Sequence, residues 1–169
     1  KERRREQIVT AGMKAFADHV LALNNRIGRP YMPAIPVDFG GCVKGLKSLS
    51  SMEDKVATHL ANAKIAANDV ADRIQINLTT MRELAADHVT LFPDTAQLVL
   101  KGNDDLTALV KTRIAEHLAA EQRRADALAE QARERIAAEE RAKAEKALRE
   151  EQEARDRAAD LERRNAEAK

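Results

Sequence analysis

The sequence predicts an all-α protein, either an antiparallel helical hairpin or a three-helix bundle, followed by a long charged C-terminal helix. Two observations predict this class. Apolar residues recur in steps of three and four along two long segments, as they do on a helix face that packs against another helix. Charged residues make up 34% of the 169 residues, aromatic residues make up 2%, and there is no Trp. This composition is typical of long helices and coiled coils.

The first helix is predicted to run from the start of the chain to Ile27. Gly28 and Pro30 end it, because glycine suits the C-terminal cap and proline cannot continue a helix. The chain opens on Lys1 rather than Met, which indicates a segment of a longer protein. One apolar seam follows the helix, with alternating steps of four and three: Val9, Met13, Phe16, Val20, Leu23 and Ile27.

Residues 28–48, with the sequence GRPYMPAIPVDFGGCVKGLKS, form the predicted connection to the second helix. They hold three of the four prolines, four of the six glycines, the only cysteine and the only tyrosine. A loop of this length is usually functional or disordered. Its apolar residues favour an ordered loop with a helical turn near GGCVKGLK. We interpret the stretch as a packed elbow that reverses the chain, so that its exposed part is the best candidate for contact with a partner.

The second helix is expected to begin at about residue 51, because Ser50 and Glu53 have the spacing of a capping box. Asn77 lies within its otherwise apolar seam, where a polar residue can fix the register of a helix assembly. The full seam reads Met52, Val56, Leu60, Ala63, Ala67, Val70, Ile74, Asn77, Met81, Leu84 and His88.

Pro93 and Gly102 interrupt the helical pattern. Asp94 is predicted to cap a short helix that ends at about Leu100, and Asn103 or Asp104 to cap a third long helix. The apolar residues at the start of this third helix are expected to cover the open side of the hairpin: Leu106, Leu109, Val110, Ile114 and Leu118.

Two domains are predicted, a helical domain over residues 1–118 and an alanine-rich, charged helical stalk over residues 119–169. The stalk contains no Gly or Pro, and many Glu residues precede a Lys or Arg by four positions, which stabilises a helix in water. Its large apolar residues keep no clean heptad. Two alternatives stay open for the stalk: a solitary charged helix, or a weak pair of helices that pack along their alanines. We favour the pair, as a homodimer.

No catalytic, cofactor or metal site is predicted, and we interpret the protein as non-enzymatic. Cys42 lacks a partner base. Asp69 and Asp72 share a helix face, where ion pairs with Lys64 and Arg73 account for them. The spacing required of zinc ligands is not found among the four histidines, which are His19, His59, His88 and His117.

Contact with a partner or a nucleic acid is predicted at four residues of the loop: Arg29, Tyr31, Lys44 and Lys47. Arginine supplies charge and tyrosine a stacking face. The glycines near Lys44 do not match the phosphate-binding loop motif. A direct nucleic-acid binder is the alternative function, with further cations at the N-terminus: Arg3, Arg4 and Arg5. The net charge of +1 argues against strong non-specific attraction to DNA.

A cytoplasmic protein that does not enter the membrane is predicted. A lone cysteine cannot form an intramolecular disulfide, which suits a reducing compartment. No run of about 18 apolar residues is present, and no signal-peptide pattern opens the chain.

The stretch MPAIPVDFGGCVKGLKSLSSMEDKVATHLANAKIAANDVADRIQINLTTMREL, residues 32–84, resembles a segment of phage and prophage proteins encoded near single-strand annealing recombinases and exonucleases. The likeness extends to the second half of the first helix and to TRIAEH at residues 112–117. It implies a phage-encoded helical accessory protein that acts in the cytoplasm of the bacterial host. Its partner would belong to the recombination or host DNA-processing machinery. The resemblance implies no active-site residue.

Overall fold

A computed structural model describes residues 2–167. The all-α prediction is confirmed, including the long charged C-terminal helix, and no strand occurs among the described residues. A 3-10 helix over Ala86–Leu91 lies between α3 and α4. The α-helices are α1 (Glu2–Ile27), α2 (Phe39–Cys42), α3 (Leu49–Ala85), α4 (Thr95–Leu98) and α5 (Asn103–Glu167).

The two long helices α1 and α3 pack against each other in parallel, whereas the expected hairpin was antiparallel. Three contacts establish the direction, because the residue numbers rise together on both helices. Gly12 lies against Val56, His19 Nε2 is 2.9 Å from Asn68 Oδ1, and Arg26 donates to Asp72 at 2.8 Å. The apolar seams predict that the helices meet, but they carry no information on direction.

The connection between α1 and α3 makes the parallel arrangement possible by running back along α1. The Met32 N–H donates to Asn24 Oδ1 at 3.0 Å, near the end of α1. Further along, the Phe39 ring lies beside Gly12, and Leu46 reaches the level of Arg5. We call residues 28–48 the return segment. The predicted helical turn near GGCVKGLK is present as α2.

Local capping explains where these helices begin and end. Gly28 has φ +79° and its N–H donates to the Asn24 carbonyl, which ends α1 as predicted. The side chain of Ser48 accepts from the Ser51 N–H, so α3 begins two residues earlier than the Ser50 capping box predicted.

The apolar core between α1, the return segment and α3 follows the predicted seams with small shifts. Met13 is 58% exposed, and Gly12 takes the buried position beside it. On α3 the small residues Ala71 and Ala85 are buried, while Val70 and Leu84 lie at the edge. The buried members are Phe16, Leu23, Phe39, Val43, Met52, Val56, Ala63, Ala67 and Ala71.

The end of α3 and the start of α5 share a second apolar core. The chain between them again turns back along α3, since Asn77 Nδ2 donates to the carbonyls of Val99 (2.7 Å) and Lys101 (2.8 Å). Asn103 then begins α5, and its side chain bonds to Asn77 Oδ1 and Thr80 Oγ1. The buried members are Met81, Ala85, Phe92, Leu98, Leu106 and Val110.

The chain divides into two compact units at Ala115 and Glu116. The first unit contains both apolar cores. The described part of the second unit is helical from residue 116 to residue 167 and is exposed along almost its whole length. Leu118, expected to cover the hairpin, is 48% exposed and belongs to the second unit.

Candidate interaction surfaces

Two of the predicted contact residues, Arg29 and Tyr31, lie just beyond the end of α1. Arg29 is exposed and Tyr31 is half-buried. The Tyr31 N–H donates to the Arg29 carbonyl at 2.9 Å, which forms a tight turn after Gly28. One charge and one ring are therefore presented together at this end of the first unit.

The other two, Lys44 and Lys47, lie near the opposite end of α1 because the return segment has run back along it. Lys47 lines a surface cleft of about 330 Å³ together with Arg5 and Glu2, with Leu46, Leu49 and Met52 forming its apolar part. The rise of α1 from Arg5 to Gly28 is roughly 35 Å. The structure therefore does not bring the four predicted loop residues into one patch.

The predicted N-terminal cations lie among acidic residues. Arg5 shares its cleft with Glu2, and Arg3 lies on a shallow surface with Glu6 and Lys14. Arg4 is exposed. Because positive and negative side chains alternate at the start of α1, this surface attracts phosphate less than a purely basic patch would.

The histidines singled out in the sequence make structural contacts. His19 bonds to Asn68, and the His59 ring packs edge-on against Phe39 with centroids 5.6 Å apart. His117 Nε2 lies 3.2 Å from Glu121 Oε1, one helical turn later. Each of these three interactions joins or supports helices.

Asp72 and Cys42 are also held by neighbours. Asp72 accepts from Arg26 of α1, so the partner expected on its own helix, Lys64 or Arg73, is replaced by one from the packed helix. Cys42 Sγ donates to the Phe39 carbonyl at 3.1 Å. The sequence could not predict the Arg26 contact without the direction of α1 relative to α3.

Asp94 and Arg113 form a bidentate ion pair that sequence reasoning missed. Arg113 donates to both carboxylate oxygens, at 2.7 and 3.1 Å, and also to the Leu91 carbonyl at 3.0 Å. The guanidinium lies 5.1 Å from the centroid of the Phe92 ring. Hydrogen bonding to Arg113 lowers the pKa of Asp94 below its ordinary value of 3.8. The carboxylate predicted to cap α4 instead ties the loop before α4 to α5.

An apolar cleft of about 190 Å³ opens beside the second core. Its lining includes Met81, Ala85, Val89 and Phe92. Val89 is 70% exposed at its edge. The cleft can accept an apolar side chain, although Thr95 and Arg82 also line it.

Two further observations on residues 2–167 concern metal ligands and membrane-spanning helices. In that range no three His, Cys, Asp or Glu side chains converge as metal ligands would. Over the same residues, no helix combines the length and apolar character needed to cross a bilayer.

Large apolar side chains are exposed along α5 within the second unit. Leu128 and Leu148 are 67% and 65% exposed. Three others share this exposure: Leu118, Ile136 and Leu161. Ion pairs four residues apart stabilise the same helix, such as Arg155 with Glu151 at 2.7 Å and Arg149 with Glu145 at 3.2 Å. The helix therefore presents apolar groups within a charged, helix-stabilising surface.

No protein-family model, curated protein or solved structure matches this chain.

Proposed function

We propose that this chain is a non-enzymatic, phage-encoded accessory protein that binds a component of recombination or host DNA-processing machinery in the bacterial cytoplasm. The contacts are between proteins, and α5 is the main interaction element. The resemblance of residues 32–84 and 112–117 to phage proteins supplies the biological setting. A homodimer is part of the proposal.

The exposed apolar residues of α5 carry this proposal. Covering an exposed leucine or isoleucine by a partner removes apolar area from water, worth about 25 cal/mol per Å². Five such residues lie on one helix, Leu118, Leu128, Ile136, Leu148 and Leu161. Leu118, Ile136 and Leu161 share one face of the helix, while Leu128 and Leu148 lie on two other sides, where each can dock against a helix or groove of a partner.

The contacts of the polar side chains support a binding role over a chemical one. His19, His59 and Asp72 hold α1, the return segment and α3 together. These residues are thus engaged in packing, and we assign them no part in a reaction. The nucleic-acid alternative is less favoured, because Arg29 and Tyr31 lie about 35 Å along α1 from Lys47.

Affinity capture from an infected or lysogenic host tests the proposal. The full chain is compared with a variant carrying Leu128→Gln and Leu148→Gln, which keeps helix propensity while removing exposed apolar area. A matched control carries Ala127→Gln and Ala138→Gln, at exposed positions of the same helix. We expect the wild type and the control to retain a recombination or DNA-processing protein, and the leucine variant to retain less of it.

Two results would contradict this proposal. One is the absence of any specifically retained protein of this class on the wild-type chain. The other is equal retention by the wild type and the leucine variant, which would place the contact elsewhere.

A further inference from the structure

A stripe of apolar residues runs along one face of α5 in the second unit. Its large members Leu118, Ile136 and Leu161 are 48%, 59% and 63% exposed. At 3.6 residues per turn they share a face. Alanines at matching spacing lie between them on the same face: Ala125, Ala129, Ala132, Ala147, Ala154 and Ala158. Small side chains let two helix backbones approach closely along such a face.

The centre of the stripe is occupied by two opposite charges. Glu140 and Lys143 fill the eleven-residue interval between Ile136 and Ala147, on the same face. Within residues 2–167 neither of them takes part in an ion pair, although several neighbours on α5 do. Burying either charge unpaired would be costly, so a covering helix that offers the opposite charge at each position is favoured over an apolar one.

A second copy of α5 meets this requirement when it runs antiparallel and the two-fold axis lies between Arg141 and Ala142. Glu140 then faces Lys143 of the partner subunit, and the symmetric contact repeats on the other side of the axis. The same register places Ile136 opposite Ala147 of the partner subunit. It also opposes Ala129 with Ala154 and Ala125 with Ala158, so that the central part of the stripe meets itself. Nearer its ends, Leu118, Ala132 and Leu161 face Asn165, Glu151 and Gln122 of the partner subunit.

The charges flanking the stripe agree with this register. Four diagonal pairs of opposite sign, each two positions away from the directly opposed residue, face each other across the two copies: Glu139 with Lys146, Arg135 with Glu150, Glu121 with Arg164, and Asp126 with Arg155. One further diagonal pair, Glu130 with Glu151, brings two negative charges together. Glu151 already has a cationic neighbour in its own chain, because Arg155 lies 2.7 Å from it. A parallel pair in register would instead place each central charge opposite its own copy, which is unfavourable.

We propose that α5 pairs with a second copy of this chain as an antiparallel two-helix coiled coil centred between Arg141 and Ala142. This inference rests on the proposed function, in which α5 is the interaction element, and it names a partner for the face of α5 that carries the stripe. All of the paired residues lie after the boundary between the two units.

Charge reversal in the full chain tests the arrangement. Lys143→Glu places two carboxylates opposite each other at each central contact, and Glu140→Lys places two ammonium groups there, so each variant alone should weaken dimerisation. Because each dimer has two such contacts, we expect the dissociation constant to rise roughly tenfold. Mixing the two variants restores both attractions and should give a heterodimer as tight as the wild type. Sedimentation equilibrium measures each case, and circular dichroism checks that helicity is retained.

Disulfide trapping tests the direction independently, in a Cys42→Ser background. Chains carrying Ile136→Cys and chains carrying Ala147→Cys should cross-link with each other when mixed. Ile136→Cys alone should not cross-link, since its two copies would stand about 16 Å apart along the axis, too far for a disulfide.

Two results would overturn the inference. One is a monomer at all concentrations up to the millimolar range. The other is efficient cross-linking of Ile136→Cys to itself without the mixed product, which would indicate a parallel pair. A monomer would also remove the homodimer from the proposed function, but either result leaves the capture of a DNA-processing partner untouched. A confirmed antiparallel dimer that captures no such partner would refute only the proposed contact with DNA-processing machinery.

Discussion

Gly12 of α1 lies so close to Val56 of α3 that a Cβ atom on the glycine would stand 2.7 Å from Val56 Cγ1. The Phe39 ring of α2 lies on the same spot, 3.1 Å from that position. One point on α1 therefore contacts both the return segment and α3. Glycine is required here for close packing, since the position is helical and needs no unusual backbone conformation.

Replacing Gly12 by leucine should destabilise the first unit by about 2–3 kcal/mol, because the added side chain cannot fit between Val56 and Phe39. Ala11→Leu is the matched control, since Ala11 is the exposed neighbour on the same helix. Urea denaturation followed by circular dichroism measures both variants. Equal stability of the two leucine variants would show that this packing is not tight.

Among the polar residues at the second core, substitution of Asn77 should lower the free energy of unfolding the most. It is fully buried, and Asn77→Leu leaves the carbonyls of Val99 and Lys101 without their donor. We expect a loss of about 2–3 kcal/mol in the free energy of unfolding. Asn62→Leu, at an exposed position of α3, should change it by less than about 0.5 kcal/mol. A small effect at both positions would argue that water replaces the amide.

The ion pair of Asp94 with Arg113 predicts a pH-dependent contribution to stability. The pKa of Asp94 is lower in the folded protein than its ordinary value of 3.8. Its contribution is therefore fully present above that value and is lost as the pH falls through the folded-state pKa. Both side chains are about a third exposed or more, so solvent screening limits the contribution to about 1 kcal/mol or less.

Comparing the wild type with Asp94→Asn isolates this contribution. The difference in unfolding free energy should be largest near neutral pH and should shrink below pH 3.8. Asp69→Asn, at an exposed position of α3, controls for the general effect of removing a carboxylate. A difference between the wild type and Asp94→Asn that stays constant from pH 7 to pH 2 would contradict the assignment.

DNA binding by the first unit should be weak and should not depend on Arg29. Arg29 lies at the opposite end of α1 from Arg5 and Lys47, so an oligonucleotide only about three or four nucleotides long, bound at the N-terminal end, does not reach it. We expect Arg29→Glu to leave any measured affinity for single-stranded DNA unchanged, while Lys47→Glu lowers it. Titration at several salt concentrations gives the number of phosphate contacts. An equal loss of affinity for both variants would indicate that the loop residues form one nucleic-acid-binding surface after all.

The sequence predicted the helices better than their arrangement. The seams ending at Ile27 and beginning at Met52 mark the faces of α1 and α3 that meet, and Gly28 marks the end of α1. Their relative direction was missed because a seam has the same spacing for parallel and antiparallel packing. The length of the connection does indicate the parallel direction, since two antiparallel neighbouring helices need only about 2–8 residues between them.

The candidate surfaces were harder to predict because they depend on that arrangement. Arg29 and Lys47 belong to one loop in the sequence, but the return segment carries them to opposite ends of α1. Asp94 has the residue type of a helix cap, and only the position of Arg113 in space shows that it forms an ion pair instead. The sequence does predict that Ile136 and Leu161 are exposed, because the large apolar residues around them follow no regular heptad repeat.

The parallel pairing of α1 and α3 also affects how the chain folds during synthesis. The contacts that join α1 to α3 connect residues 46 and 49 positions apart. At about 5–20 residues per second, a ribosome needs roughly 2–10 seconds to add that length. Throughout that interval the apolar face of α1 has only the return segment to pack against, so the part of that face that α3 later covers offers a binding site for chaperones on the nascent chain.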